Sequence, residues 1–305
     1  MKKLPTIAVL LAGILWGSLG IFIRRLSAAG FTSLQIVFAR VLFGALLLIF
    51  YALFKDRQLL KLRVKDLWCF VGSGITGFAF FNYCYFTTMQ YASLCVAAVL
   101  LYTAPIIVMV LSALLFHEKI TRKKLFALLL AFGGCICAVG LLSGDVLLTV
   151  PGLFIGLGAG LGYALVTVFT RYALNRGYTS ITIVIYTLLF AAAAVFCMTD
   201  VRPVFQYCAN IRNLLFLILF ILTGTIAPNM LYTWGMSRMD NDTASIIVSI
   251  EPIAATVIGV IAFGEQLSAD TILGIGLMTV ALIVLNLKSS AKSDPSSDSV
   301  IYINS

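Results

Sequence analysis

Ten apolar runs, each about as long as a membrane-crossing helix, constrain this chain more than any other feature of its sequence. They cover residues 5–23, 34–54, 67–88, 93–115, 124–142, 151–170, 180–198, 213–236, 243–263 and 270–287. A helix needs about 20 apolar residues to cross a bilayer, and backbone groups in lipid must bond within a helix or a closed barrel. Because the runs are too long for barrel strands, we predict an all-α integral membrane protein with ten transmembrane helices.

The composition excludes the soluble classes of protein. Of 305 residues, 61% are hydrophobic and 11% are charged, whereas soluble domains carry about 45–50% apolar and about 25% charged residues. The seven cysteines contain no Cys-x-x-Cys pair, and all except Cys208 lie in apolar stretches. We interpret them as core side chains and predict no disulfide, no metal site and no cofactor.

The distribution of basic residues predicts the orientation in the membrane. With the N-terminus in the cytoplasm, inner segments carry 16 of the 21 Lys and Arg residues, outer segments carry four, and Arg40 lies inside the second run. Because positive residues are retained in the cytoplasm, we predict a multi-pass protein of a bacterial cell membrane with both termini cytoplasmic. The net charge of +9 then reflects topology and not nucleic-acid binding. The polar residues 289–305 are predicted to form a disordered cytoplasmic tail.

The chain repeats itself at a constant offset of 147 residues. Between residues 72 and 121, 11 of 50 positions match their counterparts, and five more matches lie between residues 10 and 25. The matching pairs include Thr76/Thr223, Gly77/Gly224, Asn82/Asn229, Tyr85/Tyr232, Pro105/Pro252, Glu118/Glu265, Gly13/Gly160 and Arg24/Arg171. We assign residues 1–146 to the first repeat and 147–288 to the second. Because each holds five predicted helices, an odd number, the second is inverted in the membrane, which is a transporter architecture.

Four segments of the chain resemble the EamA family of the drug/metabolite transporter superfamily. They are LLAGILWGSLGIFIRR, LQIVFARVLFGALLL, YTAPIIVMVLSALLFHEKIT and SIEPIAATVIGVIAFGEQLS, and the resemblance extends over about residues 5–287. It implies two five-helix repeats of opposite orientation, a central cavity and transport of a small metabolite, such as an amino acid or a related compound. The identity of that metabolite does not follow from the resemblance. The first Glu motif reads His-Glu here and departs from the usual Gly-Glu.

Two ionisable residues lie deep in the apolar runs and are the first candidates for substrate binding or gating, because charges in a bilayer are costly. They are Arg40 and Glu251, which align in the repeat with Thr187 and Ala104 and so occur in one half each. The alternative is structural, with Arg40 on backbone carbonyls and Glu251 bonded to a neighbouring helix. If Arg40 and Glu251 pair with each other, both should stay ionised. If they do not pair, the Glu251 carboxylate could couple transport to protons. The sequence leaves this choice open.

Further candidates for the cavity wall are aromatic and amide side chains near helix centres. They are Trp16, Tyr102, Tyr163, Trp234, Asn82 and Asn229. The two asparagines are equally explained as polar contacts between helices, and the aromatic residues as an interfacial belt. Pro105 and Pro252 should each kink a helix and expose carbonyls that only a cavity or neighbouring protein can accommodate.

The residues after the fourth and ninth runs are interpreted as structural. Glu118 should lie inside and Glu265 outside the membrane, followed by Thr121 and Ser268 as N-caps of the next helices.

We predict a secondary transporter, acting as an exporter, that works by alternating access around a central cavity. The alternatives are an intramembrane lipid-modifying enzyme and a passive channel. His117 is the only histidine and no catalytic motif accompanies it, so we predict that the protein is not an enzyme. The expected partners are a small-molecule substrate and the lipid bilayer, without nucleic acid. Proton coupling and the choice between monomer and homodimer remain open.

Overall fold

Helices form the whole of the regular structure in the described part of the chain. The computed structural model describes residues 3–88, 91, 94–138, 149–264 and 269–286. The first half contains α1 (Lys3–Gly17), α2 (Leu19–Ala28), α3 (Ser33–Lys55), α4 (Leu67–Val71), α5 (Phe80–Thr88), α6 (Leu94–Leu101), α7 (Ala104–Phe116) and α8 (Arg122–Ala138). The second half contains α9 (Val150–Asn175), α10 (Ser180–Phe196), α11 (Arg202–Cys208), α12 (Ile211–Ile221), α13 (Ala227–Met236), α14 (Asn241–Val248), α15 (Glu251–Phe263) and α16 (Ala269–Asn286). The predicted tail, 289–305, lies outside the described residues.

Seven helical stretches of the described residues are long and apolar enough to cross a membrane. They are Lys3–Ala28, Ser33–Lys55, Val64–Thr88, Val96–Phe116, Val150–Asn175, Ile211–Met236 and Asn241–Ala262. Two further apolar helices, Ser180–Phe196 and Ala269–Val284, are shorter. The prediction of an all-helical membrane protein is therefore confirmed, whereas length and composition do not by themselves establish ten spans. The lipid-facing surfaces carry exposed large apolar side chains, as expected for helices that face hydrocarbon.

Threonine side chains begin several of the helices. Thr32 and Thr179, which are 147 residues apart, accept the backbone N–H of Gln35 and Thr182 at 3.3 Å each and so cap α3 and α10. Thr121 accepts the N–H three residues later at 3.2 Å and caps α8, as predicted. The second predicted cap, Ser268, lies outside the described residues.

Both prolines lie at breaks in long helices. α6 ends and α7 begins around Tyr102 and Thr103, three and two residues before Pro105. α14 and α15 are interrupted in the same way at Ser249 and Ile250, before Pro252. The α-helical pattern is interrupted for two residues before each proline, within stretches that together remain long enough to cross a membrane, because proline gives no N–H and its ring clashes with the carbonyl four residues earlier.

Each half also contains a π-helical segment at the same repeat position. These are π1, Gly72–Ala79, and π2, Leu222–Ile226. In the helical turn that follows, Asn82 Nδ2 donates to the carbonyl of Phe78 at 2.8 Å, and Asn229 Nδ2 donates to that of Thr225 at 2.7 Å. A π-bulge widens the turn and disturbs the backbone hydrogen bonds there. The asparagine amides therefore have a structural role, which does not exclude contact with a substrate.

A glycine in the facing half packs directly on each break. A Cβ on Gly160 would lie 2.3 Å from Thr103 Oγ1 and 2.9 Å from the carbonyl oxygen of Leu100. A Cβ on its repeat partner, Gly13, would lie 2.5 Å from a side-chain carbon of Ile250. The broken helices of each half are therefore held against the first helix of the other half, at distances that only glycine allows.

We expect Gly160→Ala to destabilise the protein by about 1–3 kcal/mol, because the added methyl overpacks a backbone contact. The matched control is Gly133→Ala in α8, where a Cβ meets no described atom within 4 Å. Alanine is favoured over glycine inside a helix by about 0.5–1 kcal/mol, so this control should be neutral or slightly stabilising. Thermal unfolding of the purified variants compares the two, and equal melting temperatures would contradict the close packing at Gly160.

Candidate functional site

A cavity of about 600 Å³ lies between the two halves of the chain. Most of its wall is apolar or aromatic, which is the usual composition of a site for a small organic ligand. The predicted candidates on the wall are Trp16, Arg40, Asn82, Tyr102, Pro105, Tyr163, Asn229, Glu251 and Pro252. The structure therefore brings together all but one of the residues proposed from sequence.

Trp234 is the exception, and its part in substrate binding or gating stays a prediction. It is not part of the cavity wall; its ring lies under the guanidinium of Arg238, with 4.0 Å between the guanidinium carbon and the ring centroid. The two residues are one helical turn apart near the end of α13, so their side chains share a face. The apolar pattern of α13 does not distinguish the helix face that carries Trp234 from the face on which Tyr232 lines the cavity.

Arg40 is buried and is held by the opposite half of the protein. Its Nε donates to Thr225 Oγ1, in π2, at 3.2 Å, and its guanidinium carbon lies 5.8 Å from the ring centroid of Phe78. Its repeat partner Thr187 also contacts the π segment of the opposite half, where its hydroxyl lies 2.6 Å from Ser73 Oγ in π1. The two halves thus use equivalent positions, but only one of them brings a charge to the cavity.

Glu251 lies in the first turn of α15, at the break before Pro252. A carboxylate at this position interacts favourably with the N-terminal end of the helix dipole. Arg40 and Glu251 are both described, and no ion pair joins them within 4 Å. They face one cavity as two separate charged groups, each able to bind an oppositely charged part of a solute.

Aromatic rings complete the wall around these charges. Trp16 packs on Tyr232 with 5.5 Å between ring centroids, and Tyr163 meets Phe81 edge to face at 5.6 Å. Trp16 and Tyr163 are repeat partners, so the aromatic lining comes from both halves. Together with Tyr102 at the α6–α7 break, they provide flat apolar surfaces with hydroxyl and indole donors.

The lining residues of the cavity extend along the bundle from the end of α2 to the level of Thr170 in α9. Its wall includes Arg24 near the end of α2, Phe86 near the end of α5 and Gly259 in α15. At the opposite end, the described lining residues stop at Thr170 in α9 and begin at Ser245 in α14. We call these the Arg24 end and the Arg171 end. The residues of α9 beyond Thr170 and of α14 before Ser245 are not part of the cavity wall.

A network of polar residues, the Arg171 network, joins α8, α9, the start of α14 and the loop after α7 at the Arg171 end. It consists of Glu118, Lys124, Arg171, Asp240, Asn241 and Asp242. The carboxylate of Glu118 accepts the backbone N–H groups of Asn241 at 3.0 Å and of Asp242 at 3.4 Å, at the start of α14. Arg171 Nε donates to Asn241 Oδ1 at 2.6 Å. A second guanidinium nitrogen of Arg171, Nη2, lies 3.9 Å from Glu118 Oε1. Burial raises the pKa of the Glu118 carboxyl.

Three carboxylates of this network approach one another closely enough to hold a cation. Oxygens of Glu118, Asp240 and Asp242 all lie within 4.8 Å of one another. The ammonium group of Lys124 already supplies positive charge there, 2.8 Å from Asp240 and 2.9 Å from Asp242. Two protein cations, Lys124 and Arg171, thus face three carboxylates in this network.

Sequence reasoning treated Glu118 as structural and missed the rest of the network. Charges near predicted helix ends are ordinarily solvated, so Lys124 and Asp242 gave no signal. The identity of Arg24 and Arg171 across the repeat was a usable signal, because apolar composition does not produce a matching arginine.

Comparison with known proteins agrees with this architecture. A sequence profile described as the EamA-like transporter family matches residues 3–140 and 150–287, one match in each half. The chain therefore belongs to the EamA-like transporter family, within the drug/metabolite transporter superfamily, and is a multi-pass membrane protein.

The relatives are themselves named as transporters. A protein of Archaeoglobus fulgidus, named as an uncharacterized transporter, is 29% identical over 286 residues, which cover 91% of this chain and 94% of the relative. The uncharacterized transporter YwfM of Bacillus subtilis is 25% identical, covering 91% and 92%. A solved crystal structure superposes with a TM-score of 0.78 over 94% of this chain and 97% of its own length. At 17% identity that likeness concerns the fold alone.

Proposed function

We propose that this protein is a secondary transporter that moves a small metabolite by alternating access. Its ten helices form two inverted five-helix repeats in a bacterial cell membrane, with both termini in the cytoplasm and export as the direction of transport. The observation that carries this proposal is the cavity of about 600 Å³, built from both halves at the level of the broken helices. Discontinuous helices near the middle of the bilayer are where secondary transporters bind their substrates.

The chemistry of the cavity favours a small amphipathic solute with at least one charged group. Arg40 can bind a carboxylate or another anionic group, and Glu251 can bind an ammonium group. Trp16 and Tyr163 offer flat surfaces to an apolar or aromatic portion. An amino acid or a related compound combines these features, and proton exchange at Glu251 would supply the driving force.

Two other functions find less support in the structure. His117 is the C-cap of α7, with a positive φ of 56°, and is not among the cavity residues, so no catalytic histidine faces a bound solute. A channel requires a path open at both ends, whereas the cavity wall in α9 and α14 stops at Thr170 and Ser245, short of the Arg171 network. We therefore propose a carrier that is not an enzyme, and no nucleic acid is among its proposed partners.

Uptake of a metabolite mixture tests the proposed function. Proteoliposomes containing the purified protein are incubated with a bacterial metabolite extract, washed, and analysed by mass spectrometry against protein-free vesicles. We expect at least one small charged solute to be enriched without chemical change. Conversion of an added compound into a product, without enrichment, would favour an enzyme and contradict the proposal.

A further inference from the structure

The connection between α3 and α4 is strongly basic. Residues 55–65, which we call the basic loop, carry five bases and one acid, Asp56. The loop directly follows a helix that is long and apolar enough to cross a membrane, so it lies near the level of the lipid headgroups. All five bases are exposed: Lys55, Arg57, Lys61, Arg63 and Lys65.

Four of these bases have no counter-charge within the described part of the protein. Ion pairs within 4 Å are absent there for Lys55, Arg57, Lys61 and Lys65. The fifth base, Arg63, lies 2.8 Å from a carboxylate oxygen of the residue that follows the loop. Like charges gathered in a short segment repel one another, and an anion from outside the protein reduces that repulsion. The basic loop therefore presents uncompensated positive charge to its surroundings.

Hydrogen bonds to the second half of the chain hold the basic loop in one place. Tyr186 donates its hydroxyl to the carbonyl of Leu60 at 2.7 Å. The backbone N–H of Arg63 donates to Tyr178 Oη at 3.1 Å, and its Nη2 donates to the carbonyl of Arg176 at 2.8 Å. Binding to a surface that is already ordered loses less conformational entropy than binding to a flexible one. The unpaired bases thus extend from a backbone that a ligand does not have to order.

Exposed apolar side chains accompany the bases of the loop. Phe54, in the last turn of α3, is 78% exposed and packs on Phe50 with 4.6 Å between ring centroids. Val64, inside the basic loop, is 86% exposed. Large apolar side chains are unfavourable in water, whereas the boundary between headgroups and acyl chains accepts them. Bases beside exposed apolar groups match a molecule that has an anionic headgroup next to hydrocarbon chains.

The equivalent connection in the second half of the chain forms without most of these charges. At the offset of 147 residues, Arg57 and Lys61 align with Val204 and Cys208, which belong to α11. Val204 is buried in the hydrophobic core. Since a connection of this length folds with apolar residues at these positions, the bases of the basic loop are not needed to shape it.

We propose that the basic loop is a binding site for an anionic phospholipid. The bases, Lys61 and Lys65 among them, donate charge-assisted hydrogen bonds to the headgroup phosphate. The acyl chains lie against Phe54 and Val64. No residue of the loop lines the cavity, so this inference does not rest on the proposed transport activity, and its test stands whether or not uptake is found.

The test titrates the purified full-length protein in detergent with phosphatidylglycerol or with phosphatidylcholine of the same acyl chains, and native mass spectrometry counts the bound lipids. The double variant Lys61→Gln with Lys65→Gln should weaken phosphatidylglycerol binding by about 10–30-fold, at about fivefold per base, and leave phosphatidylcholine binding unchanged. Lys61→Arg with Lys65→Arg keeps both charges and should bind as the wild type does. The preference for phosphatidylglycerol should fall with rising salt, which screens exposed charges.

Lys119→Gln with Arg122→Gln is the matched control, because it removes the same charge from two exposed bases outside the basic loop. This control should bind phosphatidylglycerol as tightly as the wild type. Equal weakening by both double variants would indicate a response to net charge alone and would overturn the proposal. Wild-type binding by the first double variant would also overturn it, since the bases would then serve only to orient the chain in the membrane. Displacement of the lipid by millimolar inorganic phosphate would indicate a site for a free anion and would equally contradict it.

Discussion

Glu251→Gln should reduce uptake of the enriched solute by about 10–100-fold while leaving the protein folded. The side chain keeps its shape and its place in the first turn of α15 but loses its charge. A hydrogen bond to a charged group contributes about 1.5–3 kcal/mol, and about 1.4 kcal/mol corresponds to a factor of ten. Glu251 and Arg40 are not joined by an ion pair within 4 Å, so the substitution breaks no direct salt bridge between these two described residues.

The pH dependence of this variant separates substrate binding from proton coupling. If Glu251 carries the coupled proton, uptake by Glu251→Gln should no longer respond to a pH gradient. Asp56→Asn is the matched control, since Asp56 is an exposed carboxylate that caps a short helix and an amide can still accept that bond. Unchanged uptake with an unchanged pH profile in Glu251→Gln would remove this residue from the mechanism.

Arg40→Met is expected to reduce uptake by at least about tenfold, because it removes the cavity's buried guanidinium while keeping most of its volume. Arg40 is held by Thr225 in the other half, so its loss also removes a contact between the repeats. Thr225→Val removes that hydrogen bond without removing the charge. We expect Thr225→Val to retain most of the uptake that Arg40→Met loses.

Substrate selectivity should change with the charge at position 40. In a competition assay, solutes that carry a carboxylate should inhibit uptake by the wild-type protein and lose this effect on Arg40→Met. Equal inhibition of both proteins, measured at the same expression and reconstitution level, would show that Arg40 is a structural residue. Melting temperatures of the two variants give the structural contribution separately.

Much of the fold could be predicted from sequence because the bilayer imposes simple rules. Apolar runs must be helices, and an offset of 147 residues pairs residues such as Pro105 and Pro252 that apolar composition does not explain. The two π segments could not be predicted, because a π-bulge depends on the helices packed against it. The helix breaks were predicted as kinks, since proline defines where a helix is weakened and packing decides how far it separates.

The candidate site was predictable wherever a residue was costly in lipid. Arg40 and Glu251 were found by that cost alone. Trp234 is not among the residues of the cavity wall, and the sequence could not show this because an aromatic residue suits a cavity wall and a membrane interface equally well. The Arg171 network depends on contacts between residues more than 60 positions apart, such as Arg171 with Asn241. Only the three-dimensional arrangement brings these together.

Counterflow in proteoliposomes tests the central claim, that the protein is a carrier with one alternately exposed site. Vesicles are loaded with the unlabelled solute identified by the metabolite assay and diluted into a trace of the same solute carrying a label. A carrier exchanges one solute for another, so we predict that the label rises transiently inside the vesicles above its equilibrium level and then declines. A monotonic approach to equilibrium without an overshoot would indicate a channel and would contradict the account.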